Sequence, residues 1–154
     1  MKRWIPVLFY IAAVLLFSAQ PESSATNMNS WLHRFLPNLS RSEIRDVVFL
    51  LRKATHVAAY GVAALLFFYA VIGTRWLRRF PFFWAGVFAF ATAGLDEWYQ
   101  STLPHRTGTF SDVLIDGIGI VGMLAALYFV DIRRKRSVGS ETFKGSEKEP
   151  SSTD

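Results

Sequence analysis

The residues from Ala54 to Ile72 read ATHVAAYGVAALLFFYAVI and contain a single readily ionised side chain, that of His56. A helix needs about 20 mostly apolar residues to cross the hydrocarbon core of a bilayer. The apolar residues of this stretch do not alternate with a period of two, as those of a barrel strand would. The stretch therefore predicts a membrane-spanning helix.

Three further stretches have the same character. They are the segments 4–19, 80–95 and 113–130. The first two of these are uncharged, and the last contains one charge, that of Asp116. We therefore predict an all-α integral membrane protein, built as a compact bundle of four transmembrane helices.

The first segment permits a second interpretation. Lys2 and Arg3, an apolar stretch and the small residues around Ala19 also resemble a secretory signal peptide. The sequence leaves open whether this segment is retained or cleaved. The rest of the chain has the same orientation in either case.

Basic residues fall into clusters that predict this orientation. The clusters lie at 2–3, 75–79 and 133–136, each at the end of an apolar segment. Short loops rich in Lys and Arg mark the cytoplasmic side of a membrane protein. A chain that crosses four times places all three clusters on one side, so both termini are predicted to be cytoplasmic.

The composition limits the kinds of site and partner that this protein can have. The chain has 154 residues, 51% of them hydrophobic, with no cysteine and a formal net charge of +5. The lack of cysteine excludes disulfides, thiolate metal sites and a Cys nucleophile. The basic clusters account for the positive charge, so no nucleic-acid partner is predicted. We assign 1–136 to the transmembrane domain and predict that 137–154, rich in Ser, Glu, Lys and Gly, is a disordered cytoplasmic tail.

Polar residues collect at the end of the bundle opposite the basic clusters. Residues three or four apart share one face of a helix, which places Lys53, His56 and Tyr60 together. Asp112 and Asp116 form a second such pair. We predict a pocket near the outer leaflet, lined by Lys53, His56, Tyr60, Asp96, Glu97, Gln100, Arg106, Asp112 and Asp116. Ion pairs of Lys53 with Asp96 and of Arg106 with Asp112, serving only to hold the helices together, are the structural alternative.

Two kinds of site are not predicted. His56 and the acids of this pocket supply nitrogen and oxygen donors for a divalent cation, but no compact spacing such as His-Glu-x-x-His is present. No Gly-x-Ser-x-Gly sequence marks a serine hydrolase either. We therefore predict neither a metal site nor a cofactor.

Three motifs connect the chain with a known family. They are KATHVAAYG at 53–61, Asp96-Glu97-x-x-Gln100 and Arg106-x-Gly108-x-x-x-Asp112. Over residues 5–130 the chain resembles the VanZ-like family of small bacterial membrane proteins, whose namesake is associated with teicoplanin resistance. Tyr99 stands where family members commonly have histidine, and His105 where glycine is usual. The resemblance implies a multi-pass protein of the bacterial cytoplasmic membrane.

Our leading hypothesis is a non-enzymatic envelope protein. It binds an anionic lipid or a lipid-linked cell-wall intermediate at the outer leaflet, and this occupancy influences susceptibility to the glycopeptide teicoplanin. Lys53 and Arg106 contact phosphate, while His56 and Gln100 donate hydrogen bonds. Three acids hold Lys53 and Arg106 in place: Asp96, Asp112 and Asp116. Pairs of small residues on the helices permit a homo-oligomer.

Two alternatives belong to other classes. A membrane enzyme acting on a lipid-linked substrate would use Asp96 or Glu97 as its acid or base. A proton-coupled transporter needs a path across the membrane, and no ionisable residue continues from Asp96 toward the cytoplasm.

Overall fold

A computed structural model describes residues 2–20, 24–104 and 108–146, and the side chains of these residues up to 135. Within that part of the chain, the only regular secondary structure is helical, which confirms the predicted all-α class. A short 3-10 helix, Lys2–Trp4, leads into α1. The α-helices are α1 (Ile5–Ala19), α2 (Ala25–Phe35), α3 (Arg41–Ile72), α4 (Pro81–Ser101) and α5 (Phe110–Ser146).

Three of the described helical segments are long and apolar enough to cross a membrane. They are Lys2–Ala19, Arg41–Ile72 and Phe110–Lys135. Helices of this length and hydropathy indicate a membrane protein. The 21 residues of α4 do not reach the same mean hydropathy, because Asp96, Glu97 and Gln100 lie in its last turns.

A capping box starts α3, in the Ser40-x-x-Glu43 pattern that is typical of helix starts. The Ser40 hydroxyl accepts a hydrogen bond from the Glu43 N–H at 3.3 Å, and the Ser40 N–H donates to the Glu43 carboxylate at 2.7 Å. Each bond satisfies an amide that the first turn of a helix leaves without a partner. From this start α3 runs through 32 residues without a break and carries the 53–60 region into the bundle.

Buried alanines line the core where α3 and α4 contact each other, beside aromatic pairs such as Phe67 with Phe88. The buried alanines are Ala63, Ala64 and Ala70 on α3, and Ala85, Ala89 and Ala93 on α4. Small side chains let helix backbones approach closely, so packing contacts replace the hydrophobic effect that lipid does not provide. We call this contact the alanine seam. Trp4 packs edge-on against Phe88 beside it, with ring centroids 5.6 Å apart.

A second close approach joins α3 and α5. A Cβ atom added at Gly119 would lie 1.9 Å from the carbonyl oxygen of Val57, and one added at Gly61 would lie 3.3 Å from the Gly119 oxygen. No side chain fits at 1.9 Å from a backbone atom, so this crossing requires glycine at position 119. His56 and Asp116 lie within one turn of the crossing on their respective helices.

The chain divides into two compact units, 1–124 and 125–154. The first contains every described residue of the predicted pocket. In the second, Lys135 donates to Asp131 one turn earlier at 2.6 Å, on the exposed surface of α5. Helix α5 continues to Ser146, past the predicted domain boundary at 136, and residues 147–154 lie outside the described residues. The division at 136 stays a prediction.

Candidate functional site

The candidate site lies where the middle of α3, the C-terminal end of α4 and the N-terminal end of α5 meet. It contains a cavity of about 110 Å³. The lining residues are Phe49, Arg52, Lys53, His56, Glu97, Gln100, Asp112, Ile115 and Asp116. The structure thus brings together six of the nine side chains that the sequence predicts for the pocket.

Lys53 forms an ion pair with Asp112, linking α3 to the first turn of α5. Both side chains are partly exposed at the cavity. The predicted pairing of Lys53 with Asp96 is therefore wrong, because Asp96 lies deeper and is bound by neutral donors. Arg106 lies outside the described residues, so its contacts stay a prediction.

Asp96 is held by two side chains of the predicted set. The Tyr60 hydroxyl donates to Asp96 Oδ2 at 2.8 Å, and Gln100 Nε2 donates to the same oxygen at 2.9 Å. All three residues are buried. Asp96 and Tyr60 face a neighbouring cavity of about 190 Å³ beside α1, which His56 also lines. Tyr60 and Gln100 therefore position a carboxylate, whereas the sequence analysis assigns them to a ligand.

His56 lies between two buried acids from different helices. Its Nδ1 atom is 3.2 Å from Asp116 Oδ1 and 3.6 Å from Glu97 Oε1. Asp116 is 0% exposed and Glu97 is 4% exposed. The structure thus brings His56 within ion-pair distance of both acids, which the sequence analysis places in the same pocket, and their common depth in the membrane stays a prediction.

Several buried polar atoms of the site have no hydrogen-bond partner among the described residues. They are Asp96 Oδ1, Glu97 Oε1, Asp116 Oδ2 and Arg52 Nε. A buried polar atom without a partner costs about 1–3 kcal/mol, and more when it is charged. Three of them belong to residues that line one cavity, Arg52, Glu97 and Asp116, and such atoms indicate a place that accommodates a polar or charged ligand.

The connection from α4 to α5 closes onto the site through Glu97 and Gly108. The Thr109 N–H donates to Glu97 Oε2 at 3.2 Å. A Cβ atom at Gly108 would lie 2.0 Å from the backbone oxygen of Glu97, so glycine is required there. This contact explains the glycine of the Arg106-x-Gly108 motif by packing. The other Glu97 oxygen, Oε1, faces His56.

Among the polar residues that line the cavity, Arg52 is the one that the sequence analysis missed. It lines the cavity beside Lys53, and its Nε atom is buried. Its spacing of four from His56 places it on the same helix face, and this spacing could have identified it.

The helices and the buried polar cluster together define a small all-helical membrane protein with a ligand-sized site at one end. A family model matches residues 4–131, nearly the whole chain, and the chain belongs to the VanZ/LLP1 family. The resemblance found in the motifs is thereby confirmed. Neither a curated protein nor a solved structure matches the chain at a significant level.

Proposed function

We propose that this protein binds the phosphate group of an anionic lipid, or of a lipid-linked cell-wall intermediate, at the outer face of the bacterial cytoplasmic membrane. In this proposal α4 is a fourth crossing beside α1, α3 and α5, and both termini are cytoplasmic. Altered teicoplanin susceptibility would follow from occupancy of that lipid.

One observation carries the proposal: a cationic side chain with an unsatisfied, buried donor lines a small polar cavity. Arg52 Nε is buried with no hydrogen-bond partner among the described residues, and Lys53 stands beside it. Arginine presents several N–H donors in a planar fork that matches phosphate oxygens. The volume of about 110 Å³ accommodates one phosphate-sized group.

A larger cavity between α2 and α3 has room for the head group of a lipid. It measures about 550 Å³, and its lining includes His33, Arg34, Arg41 and Arg45. Arg45 precedes Arg52 by seven residues, which is about 10 Å along a helix. A lipid phosphate at Arg52 and a polar head group beside Arg45 would follow one row of cations along α3.

A second candidate function is an enzyme that acts on the same class of lipid. Glu97 favours it, because its Oε1 atom is buried, lacks a hydrogen-bond partner within the described chain and lines the cavity. Asp96 is the weaker candidate for the acid or base, since it does not line that cavity and Tyr60 and Gln100 already bind it. We retain the proton-coupled transporter only as a hypothesis that proton flux in liposomes would test.

The binding proposal is tested with vesicles of zwitterionic lipid that contain a minor fraction of a polyprenyl phosphate. We expect Lys53→Gln combined with Arg52→Gln to weaken retention of the polyprenyl phosphate at least tenfold. A charge-assisted hydrogen bond contributes about 1.5–3 kcal/mol, so the loss of one such bond is enough. Native mass spectrometry of protein extracted from the vesicles measures the bound lipid.

Lys135→Gln is the matched control, because it also removes a lysine from a Lys–Asp pair, at an exposed position. Equal retention by the double variant, the control and the unchanged protein would refute the proposal. Glu97→Gln separates the two functions. An enzyme would lose turnover of a polyprenyl diphosphate and keep binding it, whereas a binding protein would show no turnover to lose.

A further inference from the structure

We propose that His56, Glu97 and Asp116 form a binding site for a divalent transition-metal ion of the Zn²⁺ or Mn²⁺ kind. The three side chains come from α3, α4 and α5, and one ligand atom of each lies within 4.8 Å of the other two. This inference goes beyond the proposed lipid binding and does not depend on it.

The distances within the set match a coordination sphere. Metal bonds of about 2.0–2.2 Å at tetrahedral angles place neighbouring ligand atoms about 3.4 Å apart. His56 Nδ1 lies 3.2 Å from Asp116 Oδ1 and 3.6 Å from Glu97 Oε1, on either side of that value. An ion could therefore be accommodated by small side-chain rotations, with the helices in place.

The hydrogen-bonding of the acids points to a cation as well. Glu97 Oε1 faces His56 and has no hydrogen-bond partner in the described part of the chain, and Asp116 Oδ2 has none either. Both residues are more than nine-tenths buried. An uncompensated buried carboxylate is strongly destabilising, and a coordinated metal ion compensates it.

The charges around the set do not supply that compensation. Lys53 is paired with Asp112. Asp96 adds a third buried carboxylate, and the donors that bind it, Tyr60 and Gln100, are neutral. Arg52 lines the cavity without an acid in ion-pair contact among the described residues. A divalent cation would offset the excess of negative charge.

The donor types indicate the class of metal. An imidazole nitrogen favours a transition metal such as Zn²⁺ or Fe²⁺, and the two carboxylates also suit Mn²⁺. Mg²⁺ and Ca²⁺ prefer oxygen ligands alone. Three protein ligands leave at least one coordination position open, as in catalytic zinc sites. Here that position would face the cavity that Arg52 and Lys53 line. Water or a ligand oxygen could occupy it.

The test uses the full chain, purified in detergent with no added lipid and stripped of metal with a chelator. Equilibrium dialysis against Zn²⁺ and Mn²⁺, followed by elemental mass spectrometry, measures the stoichiometry. We expect one ion per chain and a higher midpoint of thermal unfolding for the loaded protein. Mg²⁺ should bind at least tenfold more weakly. Less than a tenth of an ion per chain for both Zn²⁺ and Mn²⁺ would overturn the proposal without any variant.

Variants then locate the ion. Glu97→Gln and Asp116→Asn keep the shape of each side chain and should lower the affinity for Zn²⁺ at least tenfold. Asp131→Asn, an acid on the exposed surface of α5, is the matched control and should bind as the unchanged protein does. Unchanged affinity in both site variants would place the ion elsewhere and overturn the assignment. Because no lipid is present, this result is separate from the outcome of the polyprenyl phosphate experiment.

Discussion

Asp96 accepts two hydrogen bonds on one oxygen, from Tyr60 and from Gln100, while its other oxygen has no partner among the described residues. Asp96 and Gln100 both belong to α4, so the bond from Tyr60 of α3 is the one of the two that links the helices at the site. A buried carboxylate held this way remains in place when the neighbouring cavity is empty or filled. We therefore regard Asp96 as a structural residue of the site.

Removal of the Tyr60 hydroxyl tests this role. Tyr60→Phe deletes the donor and keeps the ring, so we expect the free energy of unfolding to fall by about 1.5–3 kcal/mol, the contribution of a hydrogen bond to a charged group. Denaturant titration in detergent measures it. Tyr69→Phe is the control. Tyr69 is 47% exposed and its ring contacts the Arg3 guanidinium, a contact that phenylalanine retains, so its stability should change by less than about 0.5 kcal/mol.

A Tyr60→Phe protein as stable as Tyr69→Phe would show that Asp96 does not depend on this donor.

At the scale of single residues, the sequence predicts which side chains share one face of a helix. It does not predict which of them are in contact. The spacing of Lys53, His56 and Tyr60 places all three toward the site, as the structure has them. It cannot show that Lys53 meets Asp112, because that choice depends on how far α5 lies from α3. The contact of His56 with Glu97 and Asp116 is not predictable for the same reason, since the three residues come from three helices and no local spacing relates them.

At the scale of the helices, the close crossing of α3 and α5 restricts the sequence most strictly, because it requires glycine at position 119. Alanine at position 119 would place a methyl group against the Val57 carbonyl, whereas at Gly122 a Cβ atom meets nothing within 4 Å. Overpacking of this kind costs about 1–3 kcal/mol in a close-packed interior. The colliding atom belongs to the backbone and cannot rotate away, so the upper end is expected.

Gly119→Ala and Gly122→Ala therefore form a matched pair. Alanine is favoured over glycine inside a helix by about 1 kcal/mol, so Gly122→Ala should be neutral or slightly stabilising. Gly119→Ala should lose stability and also weaken Zn²⁺ binding, since it separates His56 from Asp116. Thermal unfolding in detergent and dialysis against Zn²⁺ measure the two effects. Equal stability of the two variants would contradict the crossing.

The helix starts and ends were predicted unevenly. The capping box at Ser40 and Glu43 is a local signal, and α3 begins beside it. The apolar stretch from Ala54 marks only the part of α3 that lacks charge, so the sequence predicts a shorter span than the 32-residue helix. The residues of α3 before Lys53 are helical because the capping box and the contact with α2 stabilise them. Hydropathy detects neither a capping box nor a contact between helices.

Large apolar side chains cover the outside of the molecule. Phe9 on α1 is 78% exposed, Trp76 in the connection between α3 and α4 is 89% exposed, and every α-helix carries large exposed hydrophobic residues. A water-soluble monomer does not present apolar surface on this scale. The all-α membrane class was predictable from the apolar stretches alone. The number of crossings stays a prediction, because the acids in the last turns of α4 lower its mean hydropathy.

Labelling of single cysteines tests the four-span orientation. The chain has no cysteine, so each introduced thiol is the only one present. Ser42→Cys and Ser101→Cys should react in intact cells with a reagent that does not cross the membrane. Trp76→Cys should react only after the cells are opened. Labelling of Trp76→Cys in intact cells, or protection of both serine positions, would refute the orientation and with it the outer location of the site.

The alanine seam reverses the usual pattern of tolerance to substitution. A core of leucines and phenylalanines suffers most when methyl groups are removed, because a void is left behind. The alanines of the seam have almost no side-chain volume to lose, so damage at these positions comes from enlargement, and Ala89→Val or Ala89→Leu would push the helices apart. The outward-facing Leu and Phe residues can exchange for one another freely. In a deep mutational scan of this chain, larger residues should therefore not be tolerated at the alanine seam. Exposed apolar positions should accept any other apolar residue.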